Sequence, residues 1–324
     1  MAKAVPWSVD QPIEPFEPIA AERPPEGDWL YQIKWDGVRM LVYADGDRCE
    51  LFNRHGNPRS ALYPELLDWR SYCSASSSVL LDGEIIALGA DGKPSFHEVM
   101  RRDGIRRTDR VKQAAREVPI TYMVFDLLYC DGEWWNNKPL AERMRKLESL
   151  LHPSRLVQLV PSYPDGSTLF QVTKAQNLEG IVAKQADSTY SFGGKDGRWL
   201  KIKHWGDVIA TIGGYTTNAG IVNALVAGVF DDKGGFHFIG KVGTGRLKRS
   251  EWAALADVFA PIRRSTSPFI AYHRDMAGAN WVEPLLTMRV QYAEWRWQEG
   301  RQLRQPMIEA LLGTTPAPPF FTTT

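Results

Sequence analysis

Apolar segments that alternate with polar residues and are broken by Asp-Gly or Gly-Gly pairs recur along this chain: "RMLVYADGDRCELFNR", "SVLLDGEIIALGADGKPSF", "ITYMVFDLLYCDGEWW" and "ALVAGVFDDKGGFHFIGKV". A period of two buries one face of a strand, and Asp-Gly suits a tight hairpin turn. These segments predict antiparallel strands and hairpins. Helical spacing is found at Arg110 to Glu117, at Pro139 to Leu151 with proline near its start, at Ser167 to Leu178 and at Ser250 to Phe259. Strands dominate and helices fall irregularly between them, so the expected class is α+β rather than a regular βαβ alternation.

With 324 residues the chain has length for two domains, each burying its own core. In "WLKIKHWGDVIATIGGYT" a lysine-rich strand gives way to a fresh run of short strands. The boundary is expected there, with domains over residues 1–205 and 206–312. Short strands with one helix between them suit a small barrel such as an OB-fold. The Pro/Thr-rich tail, residues 313–324, is expected to fray.

The 24% charged and 44% hydrophobic content fits a soluble globular protein. No apolar run approaches membrane-spanning length and the N-terminus lacks the apolar stretch of a secretory signal, so the cytoplasm is the expected location, with no membrane partner. Cys49, Cys73 and Cys130 have no metal or redox spacing and are expected to be reduced packing residues. A net charge of +1 neither predicts nor excludes a nucleic-acid partner. Local clusters must decide.

The stretch "YQIKWDGVR" sets Lys34 in strand-like apolar company, just before a turn carrying Asp36 and Arg39. A surface hairpin is the plain reading, since lysine and arginine are usually solvated. Four further polar islands weigh against it: "FNRHG" with Arg54, "LLDGEII" with Asp82 and Glu84, "LEGIVAK" with Glu179 and Lys184, and "WLKIK" with Lys201 and Lys203. Singly, each reads as a solvated edge or an ion pair. If they converge, Glu84 and Glu179 are two carboxylates for Mg²⁺, which takes its remaining ligands from water and phosphate. The lysines and arginines then surround those phosphates, an inventory for phosphoryl or nucleotidyl transfer. A lysine attacks phosphorus only as the neutral amine, which apolar neighbours and crowding cations favour. Lys34 reads as a nucleophile.

In order and approximate spacing, "KWDGVR", "RHG", "LDGE", "FDLL", "EGIVAK" and "WLKIK" resemble the motifs of covalent nucleotidyltransferases, and the set is similar to the ATP-dependent DNA ligases. The contexts "LLDGEIIAL" and "VFDLLYCDG" and the terminal "LRQP" resemble the ligase module of bacterial end-joining ligases, over roughly residues 13 to 310. The resemblance implies an antiparallel-sheet nucleotidyltransferase domain followed by a small all-β OB-fold domain. It implies that Lys34 forms lysyl-AMP with ATP, that Arg39 and Arg54 contact ribose and then the DNA-end phosphate, and that Glu84 meets the ribose and a metal. Glu179 would be the second metal ligand, for Mg²⁺ or Mn²⁺. Phe125 would stack on adenine with Val182 against its other face, the amides around Gln32 and Ile33 would read the adenine edge, and Lys184, Lys201 and Lys203 would grip the α-phosphate.

Without the resemblance, Phe125 is a core strand residue and Asp126 a strand-end acceptor that never touches substrate. The basic run "MRRDGIRRTDRVKQAAR" is by default a solvated helical face; beside a ligase site, Arg101, Arg102, Arg106, Arg107 and Arg110 become candidate contacts to DNA phosphates. Arg246, Lys248 and Arg249 form a second such patch on the expected barrel.

The chain departs from the family at its C-terminus, where "LRQP" is followed by no further arginine or lysine. Arg304 is the candidate for orienting pyrophosphate, Arg301 a weaker one, and self-adenylation from ATP is expected to be less assured than sealing by a pre-adenylated enzyme. The expected partner is nicked or broken duplex DNA, handled by a monomer of two domains, with a Ku-like end-bridging protein as a further partner. Two rivals stand beside this reading: an RNA ligase or capping-type guanylyltransferase, and a nucleic-acid end-binding protein with a silent nucleotide site. A binding module has no need of a lysine held beside metal carboxylates.

Overall fold

The structure is a computed structural model that describes residues 8–243, 245–314, 317 and 320. The chain forms two compact units, Met1–Lys203 and His204–Thr324. No helix among the described residues is long and apolar enough to cross a membrane.

In the first unit the strands are β1 (Glu17–Ala20), β2 (Trp29–Ile33), β3 (Val38–Asp45), β4 (Arg48–Asn53), β5 (Ser78–Ala87), β6 (Ile120–Cys130), β7 (Glu133–Trp134), β8 (Val157–Leu159), β9 (Gly180–Gln185) and β10 (Lys195–Lys203). They form two sheets. One has the order β4-β3-β5-β6-β7, with β8 added parallel to β6; the other runs β1-β10-β9-β2, antiparallel except for β1 against β10. Asp131 and Gly132, both left-handed at φ 47° and 91°, make the tight turn between β6 and β7. The pair Asp82-Gly83 instead runs through the middle of β5, where β3 and β6 satisfy its backbone on both sides. Glycine is required there, because a Cβ on Gly83 would lie 2.4 Å from the Tyr122 ring.

Helices α1 (Phe96–Asp103), α2 (Val111–Glu117), α3 (Leu140–Leu150) and α4 (Gly166–Ala175) pack around these sheets. The last three occupy segments whose spacing is helical. Helix α1 lies outside them, although Ser95 and Glu98 carry the Ser-x-x-Glu start signature and Ser95 Oγ accepts from the Glu98 N–H. One core fills the α3 side of the central sheet, with Val42, Leu81, Tyr122 and Leu147 fully buried. A second, with Phe16, Leu41, Tyr190 and Trp199, joins the two sheets of this unit.

The second unit contains β11 (Gly206–Asn218), β12 (Ile221–Phe230), β13 (Phe236–Val242), α5 (Arg249–Phe259), β14 (Arg263–Arg264), β15 (Asn280–Val282), β16 (Thr287–Tyr292) and β17 (Met307–Gly313). Pairing runs from β13 through β12, β11 and β16 to β17, and a bridge between Ile308 and Gly245, just past β13, returns to the start. That circuit is a small OB-type barrel, with α5 burying Leu255 and Phe259 in its core. The chain is therefore α+β with a β-rich second unit. Gly313, expected to begin a frayed tail, pairs with Thr287, and the Phe320 N–H donates to the Phe230 carbonyl at 2.9 Å. The rest of that tail, residues 315, 316, 318, 319 and 321–324, lies outside the described residues.

Candidate active site

Strand register assembles the site. On the β2-β9-β10 sheet, Gln32 pairs with Val182, which pairs with Lys201, and Leu30 pairs with Lys184, which pairs with Trp199. One row further along, the Lys34 N–H donates to the Gly180 carbonyl and Gly180 pairs with Lys203. Because successive side chains point to opposite faces, Gln32, Lys34, Val182, Lys184, Trp199, Lys201 and Lys203 share one face. The other face is apolar: Tyr31, Ile33, Ile181 and Ile202 pack with Leu169 of α4. The alternation that builds the strands thereby sorts chemistry from core.

Lys34 Nζ donates to Glu179 Oε2 at 2.5 Å, and Lys203 Nζ lies 2.7 Å from Glu179 Oε1. Both oxygens of one carboxylate are thus held by cations. Burial opposes ionisation of Glu179, but the Lys34 and Lys203 charges outweigh it and hold its pKa below the usual carboxylate range. Lys201 titrates below the usual lysine range, through burial and then the charges of Lys203 and Lys34. Glu84, opposite Arg39 in the β3-β5 ladder, has no hydrogen bond or ion pair among the described residues. Burial pushes its pKa up to about 8 against the pull of Lys34 and Arg39, with Glu179 and Asp36 adding to the rise. A carboxylic group left unpaired beside cations and a second carboxylate is poised for a further cation.

Among the described residues no three His, Cys, Asp or Glu side chains cluster as a metal cage. Two carboxylates fit an ion that draws its remaining ligands from water and phosphate, as Mg²⁺ does. Arg54 is exposed in the turn after β4, and its charge, with those of Lys195 and Lys201, bears on Glu17. From there it can meet an anion arriving from solvent.

Phe125 owes its setting to an irregularity in β6. Asp126 pairs with Asp82 but Val124 pairs with Gly83, so Phe125 is an extra residue at a bulge. Bulges re-aim side chains and recur beside functional sites. The Phe125 ring lies 6.3 Å from that of Trp199, edge on, and packs with Trp35, Ile86, Met123 and Val160. The Trp35 indole N–H is buried without a partner among the described residues.

Packing decides what the other expected site residues can offer. Ile33 turns its side chain into the apolar face, which leaves its backbone amide, the group assigned to the adenine edge, for a ligand. Gln32 is buried and donates to Ser162 Oγ at 3.1 Å. Arg39 is an internal strut: its guanidinium donates to both Asp82 carboxylate oxygens at 2.9 and 2.6 Å, to the Phe16 carbonyl and to Tyr190 Oη. Lys184, 2% exposed, lies against aromatic rings and presents no ammonium to a phosphate in solvent. Arg102 is fully buried, donating to the Val118 and Leu62 carbonyls and to Glu65, so it is not a DNA contact. Asp126 and Arg143, both fully buried, pair at 2.7 Å.

The remaining basic residues are available at the surface. Arg106, Arg107 and Arg110 are exposed, Arg107 with Asp109 at 2.6 Å, and Arg101 is half-exposed against Glu98. In the second unit Arg246, Lys248 and Arg249 are exposed, while Arg304 lies 3.6 Å from Glu294. Sequence reading missed Trp199, Tyr190 and Arg143 as supports of the site. Their only signal was their place beside the motifs.

Known proteins resemble this assembly in both units. The family described as "ATP dependent DNA ligase domain" matches residues 13–203, and "ATP dependent DNA ligase C terminal region" matches residues 218–311. The multifunctional non-homologous end joining DNA repair protein LigD of Mycobacterium tuberculosis is 35% identical over 287 residues, 86% of this chain and 35% of that protein. A DNA ligase of Thermococcus fumicolans is 27% identical over 301 residues, 88% of this chain and 52% of that protein. The chain thus spans about a third to a half of the length of these curated relatives. The structure of "mycobacterial DNA ligase D complexed with ATP and MES" superposes with a TM-score of 0.51 at 30% identity, covering 95% of this chain and 97% of that one. With both of its units matched, the first over more than half of its length, this chain belongs to the ATP-dependent DNA ligase family.

Proposed function

We propose that the protein seals 5′-phosphate/3′-hydroxyl nicks or ends in duplex DNA in three steps, two that transfer an AMP group and one that releases it. Lys34 Nζ attacks the α-phosphorus of ATP, a P–N bond forms, and the bond to pyrophosphate breaks. The DNA 5′-phosphate oxygen then attacks the same phosphorus and releases Lys34. Finally the 3′-hydroxyl attacks the DNA 5′-phosphorus, its proton leaves to solvent or a base, and AMP departs. The observation that carries this reading is the juxtaposition of Lys34 and Lys203 on opposite oxygens of Glu179. The Lys34 amine is engaged by that carboxylate, so attack requires the pair to open and a proton to leave. Lys201 and Lys203 supply fixed positive charge where charge builds on the α-phosphate.

Mg²⁺ would be held by Glu84 and Glu179, and when bound it neutralises phosphate charge. The rim arginines Arg54, Arg106, Arg107 and Arg110 and the barrel residues Arg246, Lys248 and Arg249 contact DNA phosphates, while Arg304 serves the pyrophosphate. Intracellular action as a monomer, with a Ku-like partner at broken ends, completes the reading.

Incubation with α-labelled ATP and Mg²⁺, then denaturing electrophoresis, tests it. The expected label is acid-labile, base-stable, absent in Lys34→Ala, and discharged by nicked duplex. Labelling by GTP instead would favour a capping-type enzyme, and normal sealing by Lys34→Ala would remove the mechanism.

A further inference from the structure

Lys184 is a buried lysine without an acidic partner among the described residues. It is 2% exposed on β9 and makes no ion pair among the described residues. Its ammonium lies 4.4 Å from the centroid of the Phe125 ring and 4.0 Å from that of Trp199, and it donates to the Phe125 carbonyl at 3.3 Å. Burial draws its pKa down to about 7, against the opposing pull of Asp126 and Asp82. Burying a lysine in this way costs stability unless its neighbours compensate the charge.

Those neighbours are informative. Phe125 is the extra residue of the β6 bulge, on the central sheet, whereas Lys184 and Trp199 belong to the neighbouring sheet. An extra residue stands outside the strand ladder, so its direction depends on contacts beyond its own strand. The ammonium touches both the ring and the carbonyl of that residue, and it is braced behind by the Trp199 ring.

We propose that Lys184 is a positioning residue for the nucleotide base, clamping the Phe125 bulge so that its ring is preset to receive a purine. The proposal rests on the reading of Phe125 as the stacking platform. It separates Lys184 from Lys201 and Lys203 two and four residues along the neighbouring strand from Trp199. Base affinity belongs to the first, phosphate chemistry to the others.

The test compares the full chain with Lys184→Met, Phe125→Leu and the double variant. Affinity for α,β-methylene-ATP, which cannot transfer AMP to Lys34, is measured by calorimetry, and kcat and KM are measured for lysyl-AMP formation. Lys184→Met should weaken affinity and raise KM about tenfold, leaving kcat and the sealing of a pre-adenylated nick within about twofold of the parent. In the double variant Lys184→Met should add little to Phe125→Leu, because both changes act through one ring. Lys184→Arg, which keeps a cation and a donor, should recover part of the loss, and it carries the comparison if Lys184→Met does not fold. A fall in kcat or in pre-adenylated sealing at unchanged KM would make Lys184 a phosphate ligand and overturn the clamp. Losses that multiply in the double variant would overturn it as well. A parent that binds the analogue yet forms no lysyl-AMP removes the transfer reading instead, and the affinity comparison then decides the clamp alone.

Discussion

Lys34 and Glu179 are joined at 2.5 Å although 145 residues separate them in the chain. The ends of β2 and β9 bring them together, so the proposed nucleophile and a proposed metal ligand are one ion pair. In the proposed reaction a cation arriving at Glu179 competes with Lys34 and Lys203 for its two oxygens, and loss of the Lys34 contact would free that amine. Glu179→Gln should therefore lower lysyl-AMP formation by at least about 100-fold. Quench-flow labelling with α-labelled ATP measures it, and a variant that labels at the parental rate would detach Glu179 from the first step.

Asp126 and Arg143 make a bidentate pair at 2.7 and 2.9 Å, both fully buried. Asp126→Asn leaves the guanidinium uncompensated in the core and should destabilise the protein by about 3 to 5 kcal/mol. The urea midpoint should fall accordingly. A variant as stable as the parent would mean that water reaches the pair.

Arg102 and its neighbours in sequence separate in the same way. Replacing Arg106, Arg107 and Arg110 together by alanine should reduce the salt slope of DNA binding by about 1 for each phosphate no longer neutralised, with lysyl-AMP formation unaffected. Arg102→Met should instead lose about 2 to 4 kcal/mol of stability, since the carbonyls of Val118 and Leu62 lose their donor. Binding isotherms at several salt concentrations and chemical denaturation distinguish the two. Identical salt slopes for the parent and the triple variant would sink the patch.

Lys184 also sets a pH dependence. Its folded pKa, near 7, lies below the ordinary lysine value of 10.5. Below pH 7 both the folded and unfolded states carry the proton and the full penalty of the buried charge is present. Between pH 7 and 10.5 the unfolded chain binds more protons than the folded one, so stability rises with pH. Relative to Lys184→Met, which lacks this group, the parent should gain about 1 kcal/mol per pH unit across that window. Denaturation of both proteins at pH 6, 7.5 and 9 reads the difference, and parallel curves would show that Lys184 does not titrate there.

Motif order alone fixed much of this molecule. Because side chains alternate along a strand, "YQIKW", "GIVAK" and "WLKIK" each declare which residues share a face, and Lys34, Lys201 and Lys203 follow from that period. Turn chemistry did the same for the β6-β7 hairpin. Tertiary structure decided the rest, through which strands became neighbours. Phe125 stands apart because one residue is inserted opposite β5, and Arg39 is a strut because Asp82 of β5 and Tyr190 of the loop between β9 and β10 close on it. Arg102 and Arg101 look alike in sequence, yet one lies at full burial and the other is half-exposed, because a helix turns about 100° per residue and only one of them faces Leu62, Glu65 and Val118. A local pattern sets the direction of a side chain, whereas its partner depends on long-range packing that no local pattern contains.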